Sequence, residues 1–230
     1  MHRGLLKHRS NDHKDQGTRV VNVLLVDVCH TLYDANTTYG FLDQYLAHDP
    51  RYIELAKQRR SFSQRVRARL LTRPDVIRNQ AVALLKGASR VSLLESAKAY
   101  VHRIARIESV QSYINERQAE GMSIYLVSSS LDFIVAEVAM ELGVDGWFAS
   151  VLEFEKDICT GVLETDLTGN KNRVLHEHFP EASAIEFVSD NFSDANCIPL
   201  VESFRPVYPK RNIRARVFWS GKNVGEPIYG

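Results

Sequence analysis

The sequence contains few cysteines, and their spacing is not that of a zinc site. Its 230 residues include 3 cysteines, Cys29, Cys159 and Cys197, which lie far apart along the chain. An odd and scattered set of this kind excludes a disulfide framework and favours a reducing compartment. We therefore predict a cytoplasmic location.

Long apolar runs and a strong charge imbalance are also absent. No stretch has the length of an apolar membrane span, and the formal net charge of +1 argues against a dedicated nucleic-acid-binding protein. Residues 1–18 are polar and basic and lack the apolar centre of a secretory signal, so we expect a flexible tail there. The hydrophobic fraction of 44% is sufficient for one large domain, or for a core with a smaller insert.

An apolar and β-branched run from Val20 to Val26 ends abruptly at Asp27. Its length and composition predict a buried strand over residues 18–26. In an open α/β sheet, the carboxyl ends of parallel strands lie at the ligand crevice, so we expect Asp27 at that edge. Taken singly, an Asp at a strand end is also typical of a turn or a helix cap.

Helical periodicity dominates from Tyr33 to about Glu120. Pro74 is expected to begin a helix, and Gly87 marks a break between helices. Two sets of apolar residues at helical spacing indicate buried faces. The first set is Leu55, Phe62, Val66 and Leu70, and the second is Leu94, Ala97, Val101 and Ile104.

An α/β pattern resumes after Gly121. Strands are predicted at 122–127, 151–155 and 184–188, with a helix at 131–138 and a final short strand around Val217–Trp219. Strands that alternate with helices indicate a parallel sheet. We therefore predict an α/β fold with two parts. The Rossmann-like parallel core comprises residues 19–33 and 119–230, and an inserted all-helical cap domain comprises residues 34–118.

The predicted helical insert is strongly basic. Between Arg51 and Arg106 there are fourteen Lys or Arg and three acidic residues, so the remainder of the chain is net acidic. Most of these side chains are interpreted as a solvated helical face, and some as an electropositive lid that attracts an anionic substrate or contacts a membrane surface. We expect at least one arginine to face the cleft. The named candidates are Arg59, Arg60, Arg65, Arg67 and Arg69.

The stretch Asp27-Val28-Cys29-His30-Thr31-Leu32 resembles the first motif of the haloacid dehalogenase superfamily, whose pattern is an apolar strand followed by Asp-x-Asp-x-Thr-Leu. Asp27, Thr31 and Leu32 match that pattern. Cys29 stands where the second Asp is expected, and His30 where Gly is usual. Cys29 is not the nucleophile of a cysteine phosphatase, because position 35 is Ala35 and that class requires Arg there.

Three further segments match the superfamily in order. Ser128 follows the second predicted strand, Lys171 ends Gly169-Asn170-Lys171 as in phosphoserine phosphatase-like members, and Asp190 and Asp194 follow a later strand. Taken singly, Ser128 is a helix-cap candidate, Lys171 an ordinary surface lysine, and the two acids loop or cap residues. Because these residues occur in the order of the superfamily motifs, the functional interpretation is favoured over a structural one. The resemblance covers nearly all of residues 20–219.

The resemblance implies a Mg²⁺-dependent phosphatase that acts on a small phosphorylated metabolite through an aspartyl-phosphate. It implies that Asp27, Lys171 and Ser128 are catalytic, and that Ser128, Ser129 and Lys171 bind phosphate. The implied metal ligands are Asp27, the backbone carbonyl of Cys29, Asp190, and Asp194 as a third ligand or an outer partner. Cations offset the repulsion between a carboxylate nucleophile and a phosphate, which fits these roles.

The thiol of Cys29 replaces the carboxylate that serves as general acid in family phosphatases, and a thiol is a weak donor and base. General acid–base help contributes roughly 10²–10⁴ in rate. The sequence therefore leaves three alternatives open: slow turnover, a substrate with a good leaving group, or an impaired enzyme that binds an anionic partner. A lipid- or glycan-phosphate phosphotransferase is a further alternative. His30 is expected to point away from the neighbouring position and so not to replace the acid.

Overall fold

The computed structural model describes residues 22–60, 76–180, 184–208 and 213–230. Within these residues, one seven-stranded sheet has the order β4-β3-β2-β1-β5-β6-β7. The pair β3–β4 is antiparallel, and the other neighbouring pairs are parallel. The strands are β1 Asn22–Val26, β2 Ser123–Leu131, β3 Gly146–Glu155, β4 Ile158–Thr165, β5 Ala184–Ser189, β6 Ser203–Tyr208 and β7 Ile228–Tyr229.

Helices flank this sheet, and five of those described lie between β1 and β2. These five are α1 Thr37–Tyr45, α2 Pro50–Arg60, α3 Val76–Ala83, α4 Arg90–Val101 and α5 Glu108–Ala119. The later ones are α6 Asp132–Leu142, α7 Lys171–His178, a 3₁₀-helix Phe192–Leu200 and α8 Ile213–Trp219. The α/β class and the Rossmann-like parallel core are therefore confirmed.

The first strand, β1, lies in the middle of the sheet and is buried on both faces. Leu24 and Val26 pack into one hydrophobic core, and Val23 and Leu25 pack into another on the opposite face. This alternation follows from the period of two in a strand. Both neighbours are parallel to β1, because Val26 pairs with Leu126 of β2 and with Val188 of β5. The carboxyl ends of β1, β2 and β5 consequently meet at one edge.

The second strand is longer than the sequence indicates. We expected a strand at 122–127 and a helix from Leu131, but β2 continues to Leu131 and α6 begins at Asp132. Residues 128–130 are serines and belong to the strand. The pairing of β2 with β3 shifts register after Val127 and resumes where Leu131 pairs with Ser150. Serine hydroxyls bond readily to nearby backbone, which makes such a segment ambiguous in sequence.

The prediction of a strand around Val217–Trp219 is wrong, because these residues end α8. Trp219 and Ala215 are buried four residues apart, whereas Val217 between them is 70% exposed, which is a helical pattern. The indole of Trp219 lies against Phe204 of β6, with ring centroids 5.0 Å apart. The last strand is instead the two-residue β7.

The buried face of α4 also differs from the predicted set. Leu94 is 42% exposed, and the side chains that pack inward are those of Leu93, Ala97, Tyr100 and Val101. Gly87 does separate α3 from α4, with a φ of 90°. Pro74, Phe62, Val66, Leu70, Arg65, Arg67 and Arg69 lie outside the described residues.

The helix α5 packs against the sheet. Its Tyr113 hydroxyl donates to the carboxylate of Glu186 on β5, and Arg117 Nε lies 3.1 Å from the same carboxylate. Among the described residues, no helix is both long and apolar enough to cross a bilayer.

Candidate active site

Asp27 is held rigidly at the end of β1. Its N–H donates to Val188 O at 2.9 Å, which continues the ladder to β5 by one residue. The side chain is buried, with 2% exposure, and Oδ1 accepts the Val28 N–H at 2.7 Å. Burial raises the pKa of the Asp27 carboxyl, and the Lys171 ammonium opposes that shift.

Lys171 is the first residue of α7, and its side chain is only 1% exposed. Its Nζ lies 2.9 Å from Asp27 Oδ1 and 2.7 Å from Asp194 Oδ2. Burial lowers the pKa of Lys171, but the two carboxylates raise it by a larger amount, so the net shift of the pKa is upward. The ammonium is therefore retained as a buried cation between two acids.

Asp190 follows β5 and is joined to the loop after β1 through Thr31. The Thr31 hydroxyl donates to Asp190 Oδ1 at 3.0 Å and accepts the Asp190 N–H at 2.9 Å. Burial and the nearby Asp27 carboxylate raise the pKa of Asp190 to about 7. Asp190 and Asp27 line the same cavity, which has a volume of about 410 Å³.

Asp194, on the 3₁₀-helix, is buried behind this cavity rather than at its wall. Its Oδ2 accepts from Lys171 Nζ at 2.7 Å and from Ser189 Oγ at 2.6 Å. Ser189 stands where the superfamily usually has Gly, and its hydroxyl also lies 3.5 Å from Asp27 Oδ2. Asp194 thus fixes the position of Lys171 and is not among the residues that line the cavity.

The two serines at the end of β2 are placed differently. Ser128 is fully buried and its hydroxyl accepts the Ser130 N–H at 3.2 Å. Ser129 lines the cavity, and its carbonyl accepts from Arg78 Nη2 at 2.7 Å and from Ser150 Oγ at 3.0 Å. The last part of β2 is therefore tied to both α3 and β3.

Cys29 occupies the cavity wall beside Asp27, and its thiol contacts a chain of hydroxyl groups. Cys29 Sγ lies 2.9 Å from Thr37 Oγ1, and Thr37 Oγ1 donates its hydrogen to Ser130 Oγ at 2.8 Å. Because the Thr37 hydrogen is already used, the S–H is the donor to Thr37. Burial and the Asp27 carboxylate raise the pKa of the Cys29 thiol, so the group stays protonated and directed at α1.

We expected the His30 side chain to point away from position 29, and His30 is among the residues that line the cavity. The expectation assumed the alternation of an extended chain. The backbone of His30 instead has a φ of 54°, in the left-handed region, which interrupts that alternation.

Arg78 on α3 is a charged cavity residue that sequence reasoning missed. It is 6% exposed, and its Nη1 donates to both carboxylate oxygens of Asp166 at 3.1 Å. Burial raises the pKa of Asp166, but the Thr168 N–H and the Arg78 charge outweigh it and leave that pKa below its usual range. A helical pattern was the available signal, since Arg78 shares the buried face of α3 with Ala81 and Val82.

Two of the arginines that were expected to face the cleft, Arg59 and Arg60, lie in the described residues, and both have other contacts or are exposed. Arg59 Nη2 donates to Asp43 Oδ2 at 2.8 Å, and its guanidinium lies 4.2 Å from the ring centroid of Tyr39. The Arg60 side chain is 70% exposed. Neither is among the residues that line the cavity.

Several solved structures share this fold. A protein with unknown function from Bordetella pertussis Tohama I aligns with a TM-score of 0.70 and 20% identity, over 89% of this chain and 98% of that one. A substrate-bound phosphoserine phosphatase aligns with a TM-score of 0.61 and 17% identity, over 89% of this chain and 91% of that one. A phospho-aspartyl intermediate analogue of phosphoserine phosphatase aligns with a TM-score of 0.58 and 18% identity, over 81% of this chain and 86% of that one.

At these identities the structural similarity concerns the fold alone, and no curated protein matches the sequence. The family assignment comes from a sequence-based family model. The model for haloacid dehalogenase-like hydrolases matches residues 24–198, from β1 through the 3₁₀-helix that carries Asp194. The match includes the segments that carry Asp27, Ser128, Lys171 and Asp190. The chain therefore belongs to the haloacid dehalogenase-like hydrolase family and is an enzyme of that family.

Proposed function

We propose that this enzyme is a Mg²⁺-dependent, phosphoserine phosphatase-like phosphohydrolase that acts on a small phosphorylated compound through an aspartyl-phosphate on Asp27. The observation that carries the proposal is the pairing of Asp27 with a buried ammonium on one side and an open cavity on the other. A carboxylate that attacks a phosphate needs this arrangement, because the repulsion between two anions must be offset.

Lys171 supplies the fixed part of that compensation. The Asp194 carboxylate holds its Nζ in place, so Lys171 neutralises Asp27 before substrate enters. Ser129 lines the cavity, and the Ser128 hydroxyl accepts a hydrogen bond from Ser130, which leaves its own hydrogen to donate to a phosphate oxygen. We assign phosphate binding to Ser128, Ser129 and Lys171.

Oxygen ligands suited to Mg²⁺ line the same cavity. The carboxylates of Asp27 and Asp190 would bind the ion with the backbone carbonyl of Cys29, and Asp194 would act as an outer partner through Lys171. The fit is supported by the pKa of Asp190, which burial and the Asp27 charge raise to about 7, because a cation at this point relieves that repulsion. When bound, Mg²⁺ neutralises charge on the phosphate and orients it.

Cys29 restricts the reaction that such a site performs well. Its thiol hydrogen is directed at Thr37 and not at a leaving group in the cavity. We therefore propose that ordinary alkyl phosphates turn over slowly, and that preferred substrates carry a leaving group that needs little protonation.

We further propose that residues 34–118 form the inserted segment whose α1 and α3 cover the cavity while its α5 packs on the sheet, with 19–33 and 119–230 as the core. Asn36, Thr38 and Tyr39 around α1 and Arg78 on α3 reach the cavity from the segment between β1 and β2. These positions would contact the part of the substrate that lies away from the phosphate. A cytoplasmic location is part of the same proposal.

The test is Mg²⁺-dependent phosphate release across a panel of acyl, anomeric and alkyl phosphates. We expect Asp27→Asn to abolish release and Asp34→Asn, which changes an exposed acid nearby, to leave it intact. Equal activity of Asp27→Asn and the wild-type protein would reject the proposal. A trapped phosphoryl group on Asp27, found by mass spectrometry with the wild-type protein alone, would support the aspartyl-phosphate directly.

The replacement at Cys29 also favours a second candidate function, an impaired enzyme that binds an anionic partner through its basic helices. This alternative predicts binding of phosphate and Mg²⁺ without turnover of any substrate in the panel. It also predicts an interaction with anionic vesicles or proteins that weakens as salt is added.

A further inference from the structure

We propose that Phe192 and Tyr39 make the cavity of Asp27 selective for an aromatic phosphate, in which a planar, uncharged ring is joined to the phosphate through a phenolic or carboxylic oxygen. This inference rests on the proposed phosphatase function and names the substrate class of that same site. Both rings line the cavity, and they come from different parts of the chain. Tyr39 belongs to α1 of the insert, and Phe192 is the first residue of the 3₁₀-helix in the core.

Phe192 presents an apolar surface close to the reacting groups. It lies two residues after Asp190 and lines the cavity, yet it is 39% exposed. Phe218 of α8 stacks on its ring, with centroids 4.1 Å apart and an interplanar angle of 15°. Because Phe218 covers one face, the surface left at the cavity is the opposite face or the edge of the ring. Both of these contact another aromatic ring favourably.

The position of the Phe192 ring is fixed before any ligand enters. The Asn191 side chain caps the 3₁₀-helix by accepting the Ser193 N–H at 3.1 Å, and the Asn191 N–H donates to Ser189 Oγ at 3.1 Å. Trp219, which is fully buried, meets the Phe192 ring edge to face, with centroids 5.9 Å apart. A ring that is already ordered loses little freedom when a ligand packs against it.

Tyr39 contributes the second aromatic ring of the cavity wall. The Asn36 side chain caps α1 by accepting the Tyr39 N–H at 3.0 Å, which fixes the backbone at this position. The Arg59 guanidinium lies 4.2 Å from the centroid of the Tyr39 ring, in a cation–π contact that holds the ring from within the insert. Both aromatic side chains are therefore positioned by the protein itself.

The charges around the cavity favour an uncharged leaving group. Apart from Asp27 and Asp190, the described residues that line the cavity carry no carboxylate, and Arg78 alone among them has a permanent positive charge. That charge is matched by Asp166, to which Arg78 Nη1 donates at 3.1 Å. A second ionic group on the substrate would leave water without an unmatched counter-charge to receive it, which is costly. A cavity of about 410 Å³ with two aromatic rings suits one planar ring beside the phosphate.

The missing general acid leads to the same substrate class. The Cys29 hydrogen is directed at Thr37, so the leaving oxygen departs without a proton from that side chain. A phenol has a pKa of about 10 and a carboxylic acid one of about 4, so either leaves as a stable anion. An oxygen of the Asp27 carboxylate forms a bond to phosphorus, and the bond from phosphorus to the leaving oxygen breaks with its electron pair on that oxygen. Water then cleaves the aspartyl-phosphate, which releases inorganic phosphate and restores the carboxylate.

The experiment compares benzoyl phosphate with acetyl phosphate in the presence of Mg²⁺, because their leaving groups are similar in acidity and differ in the ring. We expect the wild-type kcat/KM for benzoyl phosphate to exceed that for acetyl phosphate by about tenfold, mainly through a lower KM. Phenyl phosphate, assayed beside them, shows whether the preferred oxygen is phenolic or carboxylic. Phosphoserine carries two further charges and should be a poorer substrate than phenyl phosphate.

The ratio of the two kcat/KM values is the readout for the variants, since both substrates are assayed on one sample and the folded fraction cancels. Phe192→Leu and Tyr39→Leu should each reduce the ratio by about fivefold. Phe192→Tyr keeps a ring and should retain the wild-type ratio. The matched control is Tyr229→Leu, which removes a ring that is 58% exposed and is not among the residues that line the cavity.

A wild-type ratio near one, or a ratio that both leucine variants leave unchanged, would overturn the inference while the phosphatase function stands. If no phosphate is released from any substrate, calorimetric binding of phenylphosphonate and methylphosphonate, which are not hydrolysed, separates the two proposals. Tighter binding of phenylphosphonate that is lost in Phe192→Leu would support the aromatic selectivity and reject the hydrolysis alone. Equal binding of the two phosphonates, or none, would then overturn both.

Discussion

Lys171 Nζ lies 2.9 Å from Asp27 Oδ1, and both side chains are almost completely excluded from water. Because the second acid, Asp194, also contacts Nζ, one cation is shared between two buried anions. The energetic consequence of such a cluster is asymmetric. Its net contribution to stability is small, but removal of one member leaves the others as uncompensated buried charges.

Lys171→Met should therefore affect both stability and activity. We expect the free energy of unfolding to fall by about 3–5 kcal/mol, since Asp27 and Asp194 lose their counter-ion. Phosphate release by the remaining folded protein should drop by roughly 10²–10³ or more. Urea denaturation and a phosphate assay measure the two effects. Lys222→Met, at an exposed position, is the matched control and should change neither. A variant at Lys171 that is as stable as the control would contradict this account.

Cys29→Asp should increase turnover of alkyl phosphates, because it restores a carboxyl group where the thiol now donates to Thr37. The expected gain is up to about 10²–10⁴, the usual contribution of a general acid–base group. Initial rates at saturating Mg²⁺ measure it. Cys29→Ser keeps a small hydrogen-bonding group without acid–base strength and should remain near the wild-type rate. If the Asp and Ser variants have the same rate, the missing acid is not what limits turnover.

Arg78→Met should weaken the contact between α3 and the end of β2. The guanidinium joins Asp166 to the carbonyl of Ser129, so its loss removes a charged donor from both acceptors, to which Ser150 and Thr168 still donate. We expect the free energy of unfolding to fall by about 1–3 kcal/mol and the KM for substrate to rise, because Ser129 lines the cavity. Arg60→Met, at a side chain that is 70% exposed, should alter neither value.

The relative positions of the main acidic residues could be predicted from the sequence. Asp27 and Asp190 each follow an apolar, β-branched run, and parallel strands deliver such residues to a common edge. The positions of Ser128 and Lys171 in the order of the motifs then indicate that these two residues belong to the same site. This part of the site depends on strand periodicity, which is a local property and is visible in one sequence.

The remaining features depend on contacts between distant segments. Arg78 meets Asp166 across 88 positions of the chain, so the helical pattern that places Arg78 on a buried face does not identify its partner. The contact of Cys29 with Thr37 is closer in sequence, but it requires the turn in which His30 has a φ of 54°. The Val217–Trp219 run was misassigned because three apolar residues in succession fit either a strand or a helix.

Asp190 should make the metal-free protein less stable as pH rises. Its pKa is raised from 3.8 to about 7, first by burial and then by Asp27, so between about pH 4 and pH 7 the folded chain holds a proton that the unfolded chain releases. Within this window the free energy of unfolding falls by at most about 1.4 kcal/mol per pH unit, and this contribution levels off above it. Urea denaturation in the presence of a chelator, from pH 4.5 to pH 8, measures the slope.

Asp190→Asn removes the titrating group while it retains an oxygen that accepts from Thr31, so the slope should become shallower. A residual slope should remain, because burial also raises the pKa of Asp27. The exposed control Asp34→Asn should keep the wild-type profile. Excess Mg²⁺ should raise the free energy of unfolding most above pH 7. Asp190 is already ionised there, so the ion binds without displacing a proton. A slope that is unchanged in Asp190→Asn would mean that another group is responsible for the pH dependence.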